Sequence, residues 1–374
     1  MTQTVTLGDI ATIHDKNRIP LNSRQRSERK GTVPYYGATG IVDYIDEPLF
    51  DGEYVLIGED GENLRSKKAD LAFKVNGKFW VNNHAHIIKG NEPWINDYIV
   101  NVFRVLDISP YVTGAAQPKL NQAALIRIPI PWSGDVDSKK IAEILSTIDE
   151  KIILNRKMND TLEIIGQALF RHCFVTNPDN ENWENGTVSD LIDIYSGFAF
   201  KSKDFDPMGK YGLVTIKNVQ DGSFIAQCTD HLADPLTSRV PSYIHLGSGD
   251  IILSLTGNVG RICLVIGDDY LLNQRVAKLE GKNKQQAYAY FLFRSTKLKN
   301  NLLGISRGTA QMNLSPVETK KLKIKLPPGD VTVDFNEKAK TILEKIISNN
   351  LEIQTLTAIR ETLLPRLISG KIKV

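Results

Sequence analysis

A chain of 374 residues, 41% hydrophobic and 24% charged, has the composition of an ordinary globular protein, with apolar material for two or more cores and no bias towards disorder. It has no apolar run of 18 residues, its opening residues lack the basic and apolar regions of a signal peptide, and Cys173, Cys228 and Cys263 are far apart. These features exclude a membrane span and a disulfide or zinc framework, and they set the expectation of a cytoplasmic protein with three buried thiols; the net charge of +3 argues neither for nor against a nucleic acid.

The chain opens with Thr6-Leu-Gly-Asp9, a capping box. Next, Lys16, Arg18, Arg24, Arg26, Arg29 and Lys30 crowd a loop against only Asp15 and Glu28, and the loop runs into Tyr35-Tyr36-Gly37. Such a loop suits phosphate contacts beside a duplex; a solvated charge run is the other reading. Short β-branched and aromatic runs such as Tyr54-Val-Leu-Ile57 predict strands separated by Gly, Asp and Asn turns. His84 and His86 stand two apart on one strand face, but no third ligand follows at useful spacing, so they read as a half-buried pair and not a metal site. Gly114-Ala-Ala-Gln117-Pro-Lys119-Leu-Asn121 and the prolines 129 and 131 close a first unit, assigned to residues 1–135.

From Ser138 to Val175 the period changes. Apolar residues at Ile141, Leu145, Ile148, Ile152, Leu162 and Leu169 follow a three-four spacing with Asn155 in the same seam, which predicts a long amphipathic helix. This spacer helix is assigned to residues 136–180, ending in the polar linker Asn177-Pro-Asp-Asn180.

Then the pattern begins again. Thr187-Val-Ser-Asp190 repeats the capping box, and Leu213-Val-Thr-Ile216 and Asp250-Ile-Ile-Leu-Ser-Leu255 read as strands. Thr256-Gly-Asn258-Val-Gly260 reads as a hairpin turn, and residues 285–299 as a helix. Gly308-Thr-Ala-Gln311-Met-Asn313-Leu-Ser315 repeats the motif at Gly114 with a shift near 195 residues. Gly52–Ile57 likewise answers Gly249–Ser254, and Trp80–Gly90 answers Leu271–Gly281. Residues 181–330 form the second unit, and 331–374 a second helix whose seam holds Ile342, Ile346, Asn349, Ile353, Leu356 and Leu363, ending or kinking near Pro365. A period this long means two domains, not a solenoid, whose repeats run about 20 to 50 residues.

The fold expected is mixed α/β: two tandem globular domains separated by two long antiparallel coiled-coil helices with pseudo-two-fold symmetry. Each helix must bury one apolar stripe, and the partner of matching length lies in the same chain. Asn155 and Asn349 in the seam cost stability but fix register; two ordinary core helices with half-exposed asparagines are the plainer alternative. Antiparallel pairing puts the domains at opposite ends, as a spacer requires.

No phosphate loop, dinucleotide fingerprint, amino-methyltransferase motif or nucleophile with its base is present. What remains is DNA-reading potential. Gln117, Lys119 and Asn121 have Arg307, Gln311 and Asn313 as counterparts, and amide and guanidinium groups are what base-edge reading uses. Lys16, Arg18, Arg24, Arg26 and Tyr36 in the first unit, and Lys201, Lys203, Lys217, Asn218, Arg239, Asn258 and Arg275 in the second, complete the candidate contacts. The repeated motif is equally suited to be a structural turn.

Tyr35-Tyr-Gly-Ala-Thr-Gly-Ile41, Asp51-Gly-Glu-Tyr-Val-Leu-Ile-Gly58, Gly114–Asn121 and Leu363-Leu-Pro-Arg-Leu-Ile-Ser-Gly370 resemble the specificity subunit of type I restriction-modification systems, over the whole length. The resemblance implies a non-catalytic chain in which each domain reads one half of a split double-stranded DNA target. It implies that the helices act as ruler and as docking site for modification subunits. S-adenosylmethionine, ATP and Mg, methyl transfer to adenine and cleavage then belong to those partners and to a restriction subunit. The first unit is Tyr-rich and basic near its start, whereas the second carries Ser196-Gly-Phe-Ala-Phe200, so the half-sites should differ. A helical scaffold with protein-binding domains and a self-contained enzyme are the alternative classes; a salt-dependent affinity for duplex DNA separates the first from a DNA reader.

Overall fold

In a computed structural model, residues 3–233, 240–308 and 312–374 are described. Arg239 and Gln311 lie outside them. The chain forms two compact units, one of residues Met1–Ile152 and Thr355–Val374, the other of Ile153–Gln354.

In the first unit the two ends of the globular segment, Gln3–Thr6 and Pro129–Trp132, pair antiparallel. One four-stranded sheet runs in the order Ala11–Ile13, Ala85–Gly90, Tyr54–Gly58, Ala72–Val75. A second runs Gly40–Ile45, Lys30–Gly37, Lys78–Val81, Phe50–Asp51, with the middle pair parallel. Tyr54–Gly58 is buried on both faces, which explains its unbroken apolar run. Alternation sorts its side chains: Val55 and Ile57 join the core beneath the helix Pro93–Val105, whereas Leu56 joins Phe50, Phe79 and Val81 between the two sheets. Ile141, Leu145, Leu364 and Leu367 from the long helices complete the first of these cores.

The second unit repeats this strand for strand. Glu184–Thr187 pairs with Lys323–Leu326; one sheet runs Ile192–Ser196, Val276–Gly281, Ile251–Ser254, Ile262–Leu264; the other runs His231–Leu232, Tyr211–Val214, Tyr270–Leu272, His245–Leu246, again with a parallel middle pair. The pairing also corrects the alignment by one residue. Ile57 lies opposite His86 and Leu253 opposite Ala277, so Leu253, not Ser254, stands where Ile57 does.

Each capping box opens only one helical turn, Leu7–Ile10 and Val188–Leu191, before a strand takes over. The Asp9 carboxylate accepts from both the N–H and the hydroxyl of Thr6, which holds it below the usual carboxylate range, and Asp190 does the same with Thr187. The helix expected at 285–299 is two, Gln286–Arg294 and Thr296–Ile305, because the Ser295 hydroxyl caps the second by accepting from Leu298 N–H. The Thr256–Gly260 hairpin forms as expected between Ile251–Ser254 and Ile262–Leu264.

The long helices span Asp135–Phe170, followed by a wider π turn at Arg171–Val175, and Gly329–Ile368. The second continues three residues past Pro365, where the missing N–H forfeits one bond near the helix end. They run antiparallel. In the first unit Asp149 accepts from Arg360 at 2.7 Å; in the second, Asn155 donates to Glu352 and Asn349 to Asn159, each at 2.8 Å. Asn155 and Asn349 are buried, and neither amide oxygen has a hydrogen-bond partner, the cost expected of a polar seam position. Ile152 and Ile346 are buried, while Ile148, Leu162, Ile342 and Leu356 are half-buried. Cys228 and Cys263 are buried thiols, Cys228 pushed up to about 11 by desolvation, whereas Cys173 is only half-buried.

Candidate nucleic-acid interface

In both units backbone hydrogen bonds join the two sides of the repeated motif. Thr113 and Lys119 exchange backbone hydrogen bonds at 2.8 Å, and Arg307 and Asn313 at 2.9 and 2.8 Å. Gly114 has φ +86°, and a Cβ there would lie 2.2 Å from the Gln117 carbonyl, so the turn requires glycine. Each loop is tied to a strand end: Leu120 N–H donates to Glu59 and Gly61 N–H to Pro118, as Leu314 does to Leu255 and Gly257 to Met312. Lys119 therefore corresponds to Asn313 and Thr113 to Arg307, as the match of Gly114–Asn121 with Gly308–Ser315 implies.

The loops leave polar side chains outside. Gln117 and Lys119 are exposed, Lys119 Nζ lying 3.3 Å from Glu59; Arg307 is exposed, and the Asn313 side chain accepts from the Thr256 hydroxyl at 3.0 Å. Asn121 is engaged differently. Its side chain accepts from Ala124 N–H and caps the helix Gln122–Leu125, as Ser315 caps the helix after it. Beside each loop, the residue whose carbonyl receives the N–H of Glu59 or Leu255 is His84 or Arg275. Both are exposed, and His84 Nδ1 lies 2.9 Å from both Asp60 oxygens. Sequence reasoning singled out Arg275 and left His84 aside, because the equivalence depends on a backbone bond and not on residue type.

Below the first loop lies a charged network. The ring nitrogens of buried His86 are 2.5 Å from Asp15 Oδ2 and 2.7 Å from the Leu120 carbonyl. Arg18 donates to Glu59 at 2.7 Å and to the Ala85 carbonyl, and lies 3.4 Å from Asp15. Arg18 is thus enclosed. Asp15, Glu59 and His86 bring potential ligand atoms within 4.8 Å of one another, but Arg18 already supplies the cation between the carboxylates.

The basic loop is less basic than its sequence. Arg26 pairs with Asp43 at 3.2 Å and lies over the Tyr35 ring; Arg29 pairs with Asp46 and Glu47 and lies over Trp80; Lys30 reaches Asp43 at 2.7 Å. These acids come from the neighbouring strand and the turn after it, so counting only Asp15 and Glu28 overstated the patch. The Lys30 hydrogen bond, with that of Tyr44 N–H, pulls the Asp43 carboxyl down to about 2. Lys16 stays exposed, as does Arg24 beside Glu28. Tyr36 is half-buried against Phe73 and Phe79, and burial raises its phenol.

In the second unit Lys201, Lys203, Lys217 and Asn258 are exposed. Asn218 is not: it is 3% exposed and braces its own turn, accepting from Thr215 and donating to the Ile225 and Gln227 carbonyls. What the exposed groups offer is amides, cations and one imidazole, a set suited to phosphates and base edges.

Residues 2–164 and 180–361 match the type I restriction modification DNA specificity domain, so the domain occurs twice. A Haemophilus influenzae chain named as type I restriction enzyme specificity subunit S.HindORF215P is 27% identical over 333 residues, covering 86% of this chain and 82% of its own. The MjaIX specificity subunit of Methanocaldococcus jannaschii is 24% identical over 308 residues, covering 75% of this chain and 70% of its own. The fold is that of the crystal structure of the type I restriction-modification system S subunit from M. genitalium, with a TM-score of 0.65 at 13% identity over 98% of this chain and 96% of that one. The chain belongs to the specificity subunits of type I restriction-modification systems, the DNA-recognising and non-catalytic members of those complexes.

Proposed function

We propose that each globular domain, 1–135 and 181–330, reads one half of a bipartite duplex target, and that the helices within 136–180 and 331–374 set the spacer between the halves. The observation that carries this reading is the strand-for-strand repeat with unlike exposed side chains on the same loop. Lys119 and His84 stand in the first unit where Asn313 and Arg275 stand in the second, so one scaffold presents two different words. Arg307, Asn258 and Lys217 extend the second reading surface, and Lys16 and Arg24 supply phosphate contacts in the first.

Modification subunits dock on the helical scaffold. An exposed apolar stripe of Ile153, Leu154, Ile164 and Ile165 on the first long helix supports this, since such a stripe in water calls for a covering partner. S-adenosylmethionine, ATP and Mg belong to the modification subunits and a restriction subunit, and the complex works in the cytoplasm. No helix among the described residues is long and apolar enough to cross a membrane.

The test is methyl transfer by the chain reconstituted with its modification partner, on a bipartite target found by adenine-methylation mapping and on a scrambled duplex at physiological salt. The target should be methylated and bound with a salt-dependent affinity. Equal binding to both duplexes would refute sequence reading, and a zero salt slope would favour a protein-binding adaptor.

A further inference from the structure

The second domain sits against the first long helix at a point where a glycine permits unusually close approach. A Cβ built on Gly166 would lie 2.1 Å from Cζ and 2.4 Å from Cε1 of Phe291, well inside the closest contact a real Cβ makes. Phe291 cannot swing aside cheaply. It is 1% exposed, and its ring is held by Tyr290 at 5.1 Å and by Phe335 at 6.0 Å. One turn before Gly166, Glu163 accepts from Arg294 Nε at 2.6 Å and from the Tyr290 hydroxyl at 3.1 Å. Arg294 also donates to Asp221 at 2.5 Å, and Lys299 donates to the other Asp221 oxygen at 2.7 Å. A steric key and a charged clamp therefore fix the same helix against Gln286–Arg294, which itself packs on the strands Val276–Gly281 and Ile262–Leu264.

We propose that Gly166 and Glu163 are positioning residues that set the angle at which the second recognition domain leaves the helix, and so select which spacer length between half-sites is accepted. This rests on the bipartite reading above. Adding one methyl group at 166 forces the helix back by on the order of 1 Å, because a packed interior does not absorb the overlap. A displacement of that size where the domain meets the helix moves its reading surface off its half-site, and misplacements of about 1 Å are known to cost up to about 100-fold in rate.

The experiment uses the full chain with its modification partner, measuring methylation on duplexes whose half-sites are separated by spacers stepped one base pair at a time, together with binding to a duplex carrying one half-site. Wild type should accept one spacer sharply. Gly166→Ala should lose about 10-fold or more at that spacer and gain at a neighbouring one, with single half-site binding within about twofold of wild type. Pairing it with Phe291→Ala, which makes room for the new methyl, should restore the original profile; Glu163→Gln should broaden the profile more weakly. An unchanged profile in Gly166→Ala, or a loss equal at every spacer and matched on the single half-site, overturns the inference. Should Gly166→Ala not fold, the Glu163→Gln profile decides alone. Wild type without any spacer preference would overturn both this inference and the bipartite reading.

Discussion

The two domains support the same loop by opposite chemistry. Under Thr113–Lys119 the first uses charge, with His86 between Asp15 and the Leu120 carbonyl and Arg18 between Asp15 and Glu59. Under Arg307–Asn313 the second uses Leu255 where the first has Glu59, and Ala277 where it has His86, both buried. The backbone scaffold is shared, and the side chains beneath it are interchangeable solutions to one problem. Charge specifies direction at a desolvation cost, whereas apolar packing stabilises without directing.

The comparison breaks most visibly by transplanting one solution into the other domain. Leu255→Glu places a carboxylate in the second domain's apolar support without an Arg18 beside it, and should lower unfolding stability by about 3 to 5 kcal/mol in urea titration. A loss below about 1 kcal/mol would show that the second support tolerates a charge without a partner, against its apolar character. His86→Ala removes a partner from Asp15 and from the Leu120 carbonyl, and should cost about 2 kcal/mol while leaving the second domain's half-site preference intact. Selective damage to the second half-site would contradict the separation of the domains.

Smaller effects separate reading from holding. Lys119→Ala and Arg307→Ala should each lower affinity at only one half-site if they touch bases; a uniform loss with the log-salt slope reduced by about 1 would assign them to phosphates instead. Smallest is an acid effect confined to the first domain. The folded Asp43 carboxyl, at about 2, is depressed below its unfolded value near 4, so its contribution is complete above pH about 4 and disappears as pH falls through about 2. Asp43→Asn should flatten the pH dependence of stability within that window and nowhere else; identical acid profiles would remove the Lys30–Asp43 contact from the account.

Much of this was legible in the sequence because it is local. The capping boxes, the three-four spacing of the helices and the loop glycine at 114 declare themselves within a few residues, and duplication made each visible twice. The antiparallel helix pair followed from the need to bury two matched stripes. What could not be read depends on long-range neighbours. Asp43, Asp46 and Glu47 neutralise the basic loop from across a strand pair, Asp15 and His86 meet over 71 residues of chain, and Asn218 looked like a surface amide until its turn closed around it. The one-residue offset between Ile57 and Leu253 is likewise invisible without the pairing, since both segments are continuous apolar runs.

The central claim is that two domains of one design read two unlike half-sites at a distance fixed by the helices. It is tested most directly by mapping methylated adenines in cells carrying either the native chain or one with seven residues inserted into each long helix at matched positions, which adds about 10 Å to the ruler. Two unlike half-sites separated by one spacer length are expected with the native chain, and the same half-sites at a longer spacer with the insertion. An uninterrupted target sequence, or an unchanged spacer in the lengthened protein, would contradict it.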